Sequence, residues 1–307
     1  MKRHVNICMG LALVIGPCFI AGAQDSAPDQ RLFESPKAAV EALVAACEAN
    51  DTAALTAIFG PKFTAHSERV DDAEETTNRA RIVEMANQVR RIEERSDTER
   101  VLLLGYELWP LPMPIVAEGE KWRFDTDAGL EELQRRRVGM NELTAIEVCR
   151  EYVLAQQEYA AEDHDGDGIL EFAQKILSTE GNHDGLYWPV DAAAEEPPSP
   201  FGPLLADADS TVKSGASNGY MGYHFKILTS QAQHAPGGPL SYMEDQNMTN
   251  GFALIAWPTE YEYSGVMTFV VNHLGAVYEK DLGPETPAVA TGTTEFDPDP
   301  SWILVTE

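Results

Sequence analysis

The 307-residue sequence lacks several patterns by which common protein classes are recognised. It has no P-loop, no dinucleotide-binding glycine fingerprint and no short histidine motif of the kind that binds zinc. After residue 23 it has no apolar run of the ~18 residues that a membrane-spanning helix needs. These absences disfavour P-loop and dinucleotide enzymes, short-motif zinc sites and multi-span membrane proteins.

Basic residues are scarce, because 22 Lys and Arg stand against 50 Asp and Glu and the net charge is −28. Such a charge repels the phosphate backbone of nucleic acids and anionic lipid surfaces. It favours cations, basic proteins or simple solubility of an exported chain. We therefore expect no nucleic-acid partner, and an envelope protein or a small ligand remains as the expected partner.

Cysteine is also scarce, with four residues in the chain. Only Cys47 and Cys149 lie beyond the N-terminal segment, and each falls on the apolar face of a predicted helix. An oxidising compartment would allow them to form a disulfide. A reduced cysteine of a protein core occupies the same kind of position, so the sequence leaves both states open.

The first 23 residues have the pattern of a cleavable signal peptide. Lys2 and Arg3 precede an apolar run from Ile7 to Ile20, which is too short to span a bilayer as a helix. Ala21–Ala23 then supplies the small residues that signal peptidase recognises, which predicts cleavage before Gln24. We expect a flexible stretch over residues 24–30, a periplasmic or secreted protein, and no stable membrane insertion after cleavage.

Two alternatives stay open for this segment. It could be retained as an N-terminal anchor, or Cys18 could be the modified cysteine of a lipoprotein. Pro17 disfavours lipidation, because a small flexible residue is expected at that position.

The first half of the chain, residues 31–138, is predicted to contain helices followed by strands. Ser35 and Pro36 are typical of a helix start, and a second helix begins at Asp51 and ends at Gly60. A longer polar helix is predicted over roughly Ala73 to Arg95, where apolar residues recur at helical spacing.

Three short strands follow, at Val101–Tyr106, Met113–Ala117 and Lys121–Phe124. The helical pair in "SPKAAVEALVAACEANDTAALTAIFG" and the hairpin in "GEKWRFD" resemble the cone-shaped NTF2-like domain. This resemblance implies helices against one face of a curved sheet, with Trp122 and Phe124 pointing into the cone. NTF2-like domains serve isomerases, dehydratases and binding modules, so the fold alone selects no activity.

The second half, residues 139–307, is predicted to begin with a helix capped by Asn141. It continues as β structure with a helix packed on an antiparallel sheet, which makes the fold class α+β in two units. The predicted strands are Tyr220–Leu228, Phe252–Trp257, Met267–Asn272 and Ala276–Lys280.

An acidic loop, "DHDGDGILEF", directly follows that helix. Carboxylates at every second position converge on one point when the loop curls, which is the arrangement that a hard cation requires. The first six positions match the start of an EF-hand calcium loop, but Gln174 occupies the twelfth position in place of the bidentate glutamate. The expected cofactor is Ca²⁺, the alternative is a solvated acidic turn, and the predicted ligands are Asp163, Asp165, Asp167, the carbonyl of Ile169, and Glu171.

Two resemblances concern the second half and the whole chain. "NELTAIEVCREYVLAQQEYA", "GYMGYHFKILTS" and "GFALIAWPTEYEYSGVMTFVVNHLGAVYEKDLG" resemble the globular heads of type IV pilins and pseudopilins, without their polymerising membrane helix. Segments such as "AEDHDGDGILEFAQK", "DGLYWP" and "SGVMTFVVNH" are similar to an exported bacterial family catalogued as domain of unknown function 2950, although Leu274 replaces an expected aspartate in the last hairpin turn. That family brings no activity with it.

The leading functional hypothesis is a non-enzymatic envelope module for binding or assembly, stabilised by calcium. The alternative is a periplasmic hydrolase or isomerase with its site in the N-terminal cone or around His183 and Asp184. In the cone the acid/base candidates are His66, Asp125 and Asp127, although the two aspartates are also placed to cap a helix that opens at Ala128.

Overall fold

A computed structural model describes residues 30–63, 72–189, 198–202 and 219–306. The predicted signal peptide (1–23), residues 24–29 of the predicted flexible stretch and two residues singled out in the sequence, Cys18 and His66, lie outside these residues. The chain divides into two compact units, residues 1–128 and 129–307. Both contain helices and antiparallel strands, which confirms a mixed α+β fold.

A single helix, α4, runs from Thr126 to Tyr159, and the division falls in its first turn, ten residues before the predicted boundary. The helix start predicted at Asn141 is wrong. The Asn141 amide instead donates to the carbonyl of Ser264 at 2.8 Å, and Gly139 lies inside the helix without ending it. A lone helical glycine costs only about 1 kcal/mol, which the flanking turns of α4 tolerate.

The first unit opens with the two predicted helices, α1 (Pro36–Glu48) and α2 (Thr52–Phe59). The Ser35 hydroxyl accepts from the N–H of Ala38, and the Asp51 carboxylate accepts from the N–H of Ala54. Both side chains satisfy backbone donors that the first helical turn leaves unpaired, and both predicted helix starts are confirmed.

A third helix, α3, covers Asp72–Gln88, and the chain then enters a strand. The prediction that this helix continues to Arg95 is wrong. Residues 90–96 read RRIEERS, which shows no alternation of apolar residues, and Ile92 continues the helical spacing of α3. Pairing with the apolar strand that follows decides the strand conformation, and no local pattern reports that pairing.

The first unit has one five-stranded antiparallel sheet in the order β1-β2-β4-β5, with β3 also paired to β2. The side chains of Ile115 and Phe124 are fully buried, whereas Trp122 is half-buried under the guanidinium of Arg100. Of the two residues expected to point into the cone, Phe124 is buried and Trp122 is only partly buried, and the cone itself stays a prediction. The strands are β1 (Arg90–Ser96), β2 (Glu99–Leu104), β3 (Trp109–Pro110), β4 (Ile115–Glu118) and β5 (Lys121–Phe124).

The second unit contains most of α4 and a five-stranded antiparallel sheet in the order β14-β13-β12-β11-β6. Strand β11 lies in the middle, and its Leu254, Ile255 and Ala256 are buried, as an apolar central strand requires. The strands of this sheet are β6 (Tyr223–Leu228), β11 (Ala253–Pro258), β12 (Met267–Asn272), β13 (Val277–Asp281) and β14 (Ile303–Leu304).

Short strand pairs and one further helix complete the second unit. They are β7 (Ser230–Gln231) with β8 (Leu240–Ser241), β9 (Met243–Glu244) with β10 (Asn247–Met248), a 3₁₀ turn (Gly283–Glu285) and α5 (Thr286–Gly292). Within the described ranges, every helix is too short or too polar to cross a bilayer.

Candidate functional site

The acidic loop follows the C-terminal end of α4 in the second unit. Gly166 and Gly168 adopt positive φ angles of 78° and 87°, the left-handed region that residues with a Cβ rarely enter. A Cβ at either position would meet no other atom within 4 Å, so backbone conformation rather than space requires glycine there. These two glycines allow the chain to curl between the aspartates.

The curl brings three of the five predicted ligands together. One carboxylate oxygen from each of Asp163, Asp165 and Asp167 lies within 4.8 Å of the others, and all three side chains are exposed. Asp163 accepts from the N–H of Gly168 at 2.9 Å and of Gly166 at 2.8 Å, and these bonds lower the pKa of its carboxyl. Three ionised oxygens at this separation repel one another, and a hard cation would relieve that repulsion.

Glu171, the fourth predicted side-chain ligand, is not part of this group. Its Oε2 accepts from the N–H of Met248 at 3.1 Å and from the Gln174 amide at 3.4 Å. For Ile169, the structure gives an N–H that donates to Asp167 Oδ1 at 2.7 Å. The set of convergent ligand atoms is therefore narrower than the EF-hand spacing predicts.

A hairpin distant in sequence contacts the same loop. The Asn247 amide donates to Oδ2 of Asp167 at 2.8 Å, and the Gln174 amide donates to the carbonyl of Gln246 at 2.7 Å. The backbone N–H of Phe172 also donates to the carbonyl of Met248 at 2.8 Å. Asn247 lies 80 residues from Asp167. No sequence pattern links the two, so sequence reasoning missed this contact.

A fully buried glutamine anchors the chain just beyond the loop. Gln156 donates to the carbonyl of Ala173 and accepts from its N–H, both at 2.8 Å, and also donates to the hydroxyl of Tyr152 at 2.9 Å. Tyr152 in turn donates to the carbonyl of Ala253 at 3.2 Å. Helix α4, the exit of the acidic loop and the central strand β11 are thereby joined in one buried network.

Aromatic and imidazole rings pack beside the loop. His164 stacks on Tyr159 with ring centroids 4.0 Å apart, and His183 stacks on Trp188 at 4.3 Å. The Tyr159 hydroxyl also donates to the carbonyl of His183 at 3.1 Å. These contacts assign His183 a packing role at the base of the loop.

Asp184, the expected partner of His183 in the enzyme alternative, is engaged elsewhere. Its carboxylate binds the Lys175 ammonium and accepts from the backbone N–H of Thr179 at 2.7 Å and from its hydroxyl at 2.9 Å. Partial desolvation raises the pKa of Asp184, but the Lys175 and Thr179 bonds outweigh it and lower that pKa to about 2. Across the described part of the chain, no hydrogen bond joins His183 to Asp184.

The acid/base candidates of the first unit also have structural partners. Asp125 Oδ1 accepts from the N–H of Ala128 at 3.4 Å, and Asp127 forms an ion pair with Lys62 at 2.8 Å. An open cavity of about 280 Å³ lies beside that pair and includes Arg123 in its wall.

The second unit contains one further motif that is typical of enzymes. Residues 215–219 read G-A-S-N-G, which is the G-x-S-x-G spacing of a nucleophile elbow, and residues 215–218 lie outside the described ranges.

The two cysteines in the described ranges, Cys47 and Cys149, are free thiols. Burial raises the pKa of Cys47 to about 11 and that of Cys149 to about 12, so both stay protonated at neutral pH. Because the thiolate is the nucleophile and the metal ligand, neither thiol is suited to those roles.

The fold and the loop define a mixed α+β protein of two units with an exposed aspartate cluster. The family described as "Protein of unknown function (DUF2950)" matches residues 30–305, and the chain belongs to this family. No curated protein and no solved structure matched the chain. The family resemblance is thereby confirmed, and the NTF2-like and pilin-like resemblances stay predictions.

Proposed function

We propose that this protein is an exported, periplasmic or secreted module that acts by binding another envelope protein or a small ligand, and that calcium stabilises it at the acidic loop. The observation that carries the calcium part is the convergence of Asp163, Asp165 and Asp167 within 4.8 Å. Carboxylate oxygens are the ligands that calcium prefers, and water and backbone carbonyls would complete its coordination.

The contacts around the loop support a structural role for the ion. Asn247 joins Asp167 to the hairpin β9–β10, and Gln156 of α4 holds the chain just beyond the loop. An ion that neutralises the three carboxylates would hold these connections in one arrangement. With three convergent carboxylates and no bidentate glutamate, the affinity expected is that of extracellular calcium modules, about 10⁻⁴ to 10⁻³ M.

The non-enzymatic part of the proposal is supported by the partners of the acid/base candidates. Asp125 accepts a backbone N–H, Asp127 pairs with Lys62, and Asp184 is occupied by Lys175 and Thr179. We further propose that the first unit is an NTF2-like cone and that the second is a pilin-head-like domain. A helix with an antiparallel sheet in each unit supports this assignment.

Calcium titration with calorimetry and thermal melts tests the metal. We expect calcium to raise the melting temperature of the wild-type protein and Asp165→Ala to abolish that rise, with magnesium giving a smaller effect because it demands stricter octahedral geometry. Glu147→Ala is the matched control, since Glu147 is an exposed acidic residue on α4 well before the loop. A wild-type protein without a calcium response, or an Asp165→Ala variant that keeps it, would refute the calcium assignment.

A screen of the purified, metal-free protein against envelope substrates tests the non-enzymatic assignment. Turnover of a peptide, glycan or ester that survives in Glu147→Ala and is lost on substitution of His183 or Asp184 would favour the hydrolase alternative. Affinity capture from envelope extract with and without calcium then identifies the partner, and recovery that depends on Asp165 would link binding to the loop.

A further inference from the structure

The sheet of the first unit has one covered edge and one open edge. Along β5, Phe33 forms a two-way backbone bridge with Trp122, with N–H to carbonyl distances of 2.7 and 2.8 Å. At the other end of the sheet, β1 pairs with β2 and with no other strand of the described residues. An open edge presents a row of N–H and C=O groups that can pair with another strand.

The hydrogen-bond pattern shows which residues of β1 face this open edge. The N–H of Gly105 donates to the carbonyl of Val89 at 3.0 Å, so Val89 is bonded to the β2 side. Along an antiparallel strand, the backbone N–H and C=O groups of successive residues point alternately to one side and to the other. The backbone groups of Arg91 and Glu93 therefore also bond to β2. On the other flank of β2, Leu111 donates to the carbonyl of Leu102, which gives the same alternation.

It follows that the backbone groups of Arg90, Ile92 and Glu94 point away from β2. The Arg90 and Glu94 side chains are exposed and that of Ile92 is half-buried, so this edge is accessible in the described part of the unit. The register with β2 is regular from Arg90 to Glu94, and the bulge comes only after Glu94.

When two copies of this strand lie antiparallel, their charged side chains can be placed with opposite charges facing each other. Read from residue 90 the sequence is Arg-Arg-Ile-Glu-Glu, so reversal about Ile92 exchanges every arginine for a glutamate. Arg90 and Arg91 form no ion pair with the described residues, although most other Lys and Arg side chains in the described ranges do. Glu94 already pairs with Arg100, and Glu93 pairs with Arg95 at 2.6 Å.

We propose that two copies of this chain associate through β1, antiparallel, with a twofold axis at Ile92. Arg90 then lies opposite Glu94 of the second copy, Arg91 lies opposite its Glu93, and Ile92 meets Ile92. In this register, each outward N–H and C=O group of residues 90, 92 and 94 has a hydrogen-bond partner in the second copy. About six main-chain hydrogen bonds then join the two copies.

Neighbouring registers do not have this property. A shift of the axis by one residue, to Arg91 or Glu93, puts two outward-facing residues together but opposes Arg91 to Arg91 or Glu93 to Glu93. Like charges directly opposite one another destabilise a strand pair. At physiological ionic strength the Debye length is about 8 Å, so the overall negative charge of the two chains is screened more than these local pairs.

Two charge variants test the register without a ligand. The all-acidic edge variant is Arg90→Glu with Arg91→Glu, and the all-basic edge variant is Glu93→Arg with Glu94→Arg. We expect sedimentation velocity to show a dimer for the wild-type protein. For each variant alone, the dissociation constant of the dimer should be about 100-fold higher, and an equimolar mixture of the two variants should form a heterodimer. Arg81→Glu with Arg150→Glu is a control that changes the net charge like the all-acidic variant, at two exposed residues that are not part of β1.

A cysteine pair tests the same axis without changing the charges of the edge. Ile92→Cys places the two new thiols opposite one another, so mild oxidation should give a covalent dimer. The two thiols that Glu94→Cys introduces would lie about 14 Å apart along the strands and should not cross-link. The wild-type protein is the blank, because Cys47 and Cys149 are buried.

Each outcome supports or overturns the proposal. A wild-type protein that is monomeric at all concentrations tested overturns it, and so does a folded charge variant that dimerises like the wild type. A mixture of folded variants that does not associate overturns the register. Where circular dichroism shows that a charge variant is unfolded, cross-linking of Ile92→Cys but not Glu94→Cys supports the proposal, and equal cross-linking of both overturns it.

Discussion

The buried glutamine at position 156 gives the sharpest prediction about what holds the acidic loop in place. Replacement by Met keeps the length and helix propensity of the side chain but removes its polar atoms. The N–H and the C=O of Ala173 then lose their only partner in this network, and Ala173 is 2% exposed. A buried polar group without a partner costs about 1–3 kcal/mol. We therefore expect Gln156→Met to destabilise the second unit by about 2–4 kcal/mol.

The measurement is hydrogen exchange at the loop exit combined with denaturation of the whole protein. Because the chain has two compact units, exchange at single residues is needed beside the denaturation curve of the whole protein. Every 1.4 kcal/mol is about tenfold in an equilibrium, so protection of the segment around Ala173 should fall about 30- to 900-fold. Exchange in α1 of the first unit should be unchanged and serves as the internal control.

Gln156→Glu tests whether the loss comes from these hydrogen bonds. A carboxylate at this buried site lacks the donor that Ala173 needs, so its folded-state pKa should rise above the unfolded value of about 4.3. Because the folded state then binds its proton more tightly, the variant should approach wild-type stability near about pH 4 and lose stability as the pH rises toward about 7. A Met variant within about 0.5 kcal/mol of the wild type, or a Glu variant without this pH dependence, would refute the reasoning.

Three smaller predictions concern single side chains. Gly265→Ala should destabilise the second unit by about 1–3 kcal/mol, because the new Cβ would lie 2.2 Å from the hydroxyl of the buried Tyr223. Gly139→Ala should instead stabilise α4 by about 0.5–1 kcal/mol, since a Cβ there meets no atom within 4 Å; thermal melts of both variants check the opposite signs. Asp184→Asn should cost less than about 1 kcal/mol at neutral pH, because the ion pair with Lys175 is partly exposed. The lowered pKa of Asp184 means that its stabilisation is present above the ordinary value of 3.8 and lost as pH falls toward 2, so melting curves of the wild type and Asp184→Asn should converge there.

Local sequence determined the features whose physics is local. Ser35 and Asp51 cap the helices they were expected to cap, because a side-chain oxygen near the first free N–H groups is sufficient. The alternating aspartates with Gly166 and Gly168 were enough to place three carboxylates together. The apolar segment Ala253–Pro258 was recognisable as a central strand, since both of its faces are buried.

Tertiary structure decided the features that depend on distant partners. Residues 90–96 continue a helical spacing and become a strand only because β2 pairs with them. Glu171 has the position of a calcium ligand in the loop sequence, yet its carboxylate accepts the N–H of Met248 instead. Asn247 reaches Asp167 from a hairpin 80 residues away. Apolar periodicity, capping residues and turn residues indicate interactions between residues that are close in sequence. Strand pairing and loop contacts are stabilised by segments that are distant in sequence, and no local pattern identifies those segments.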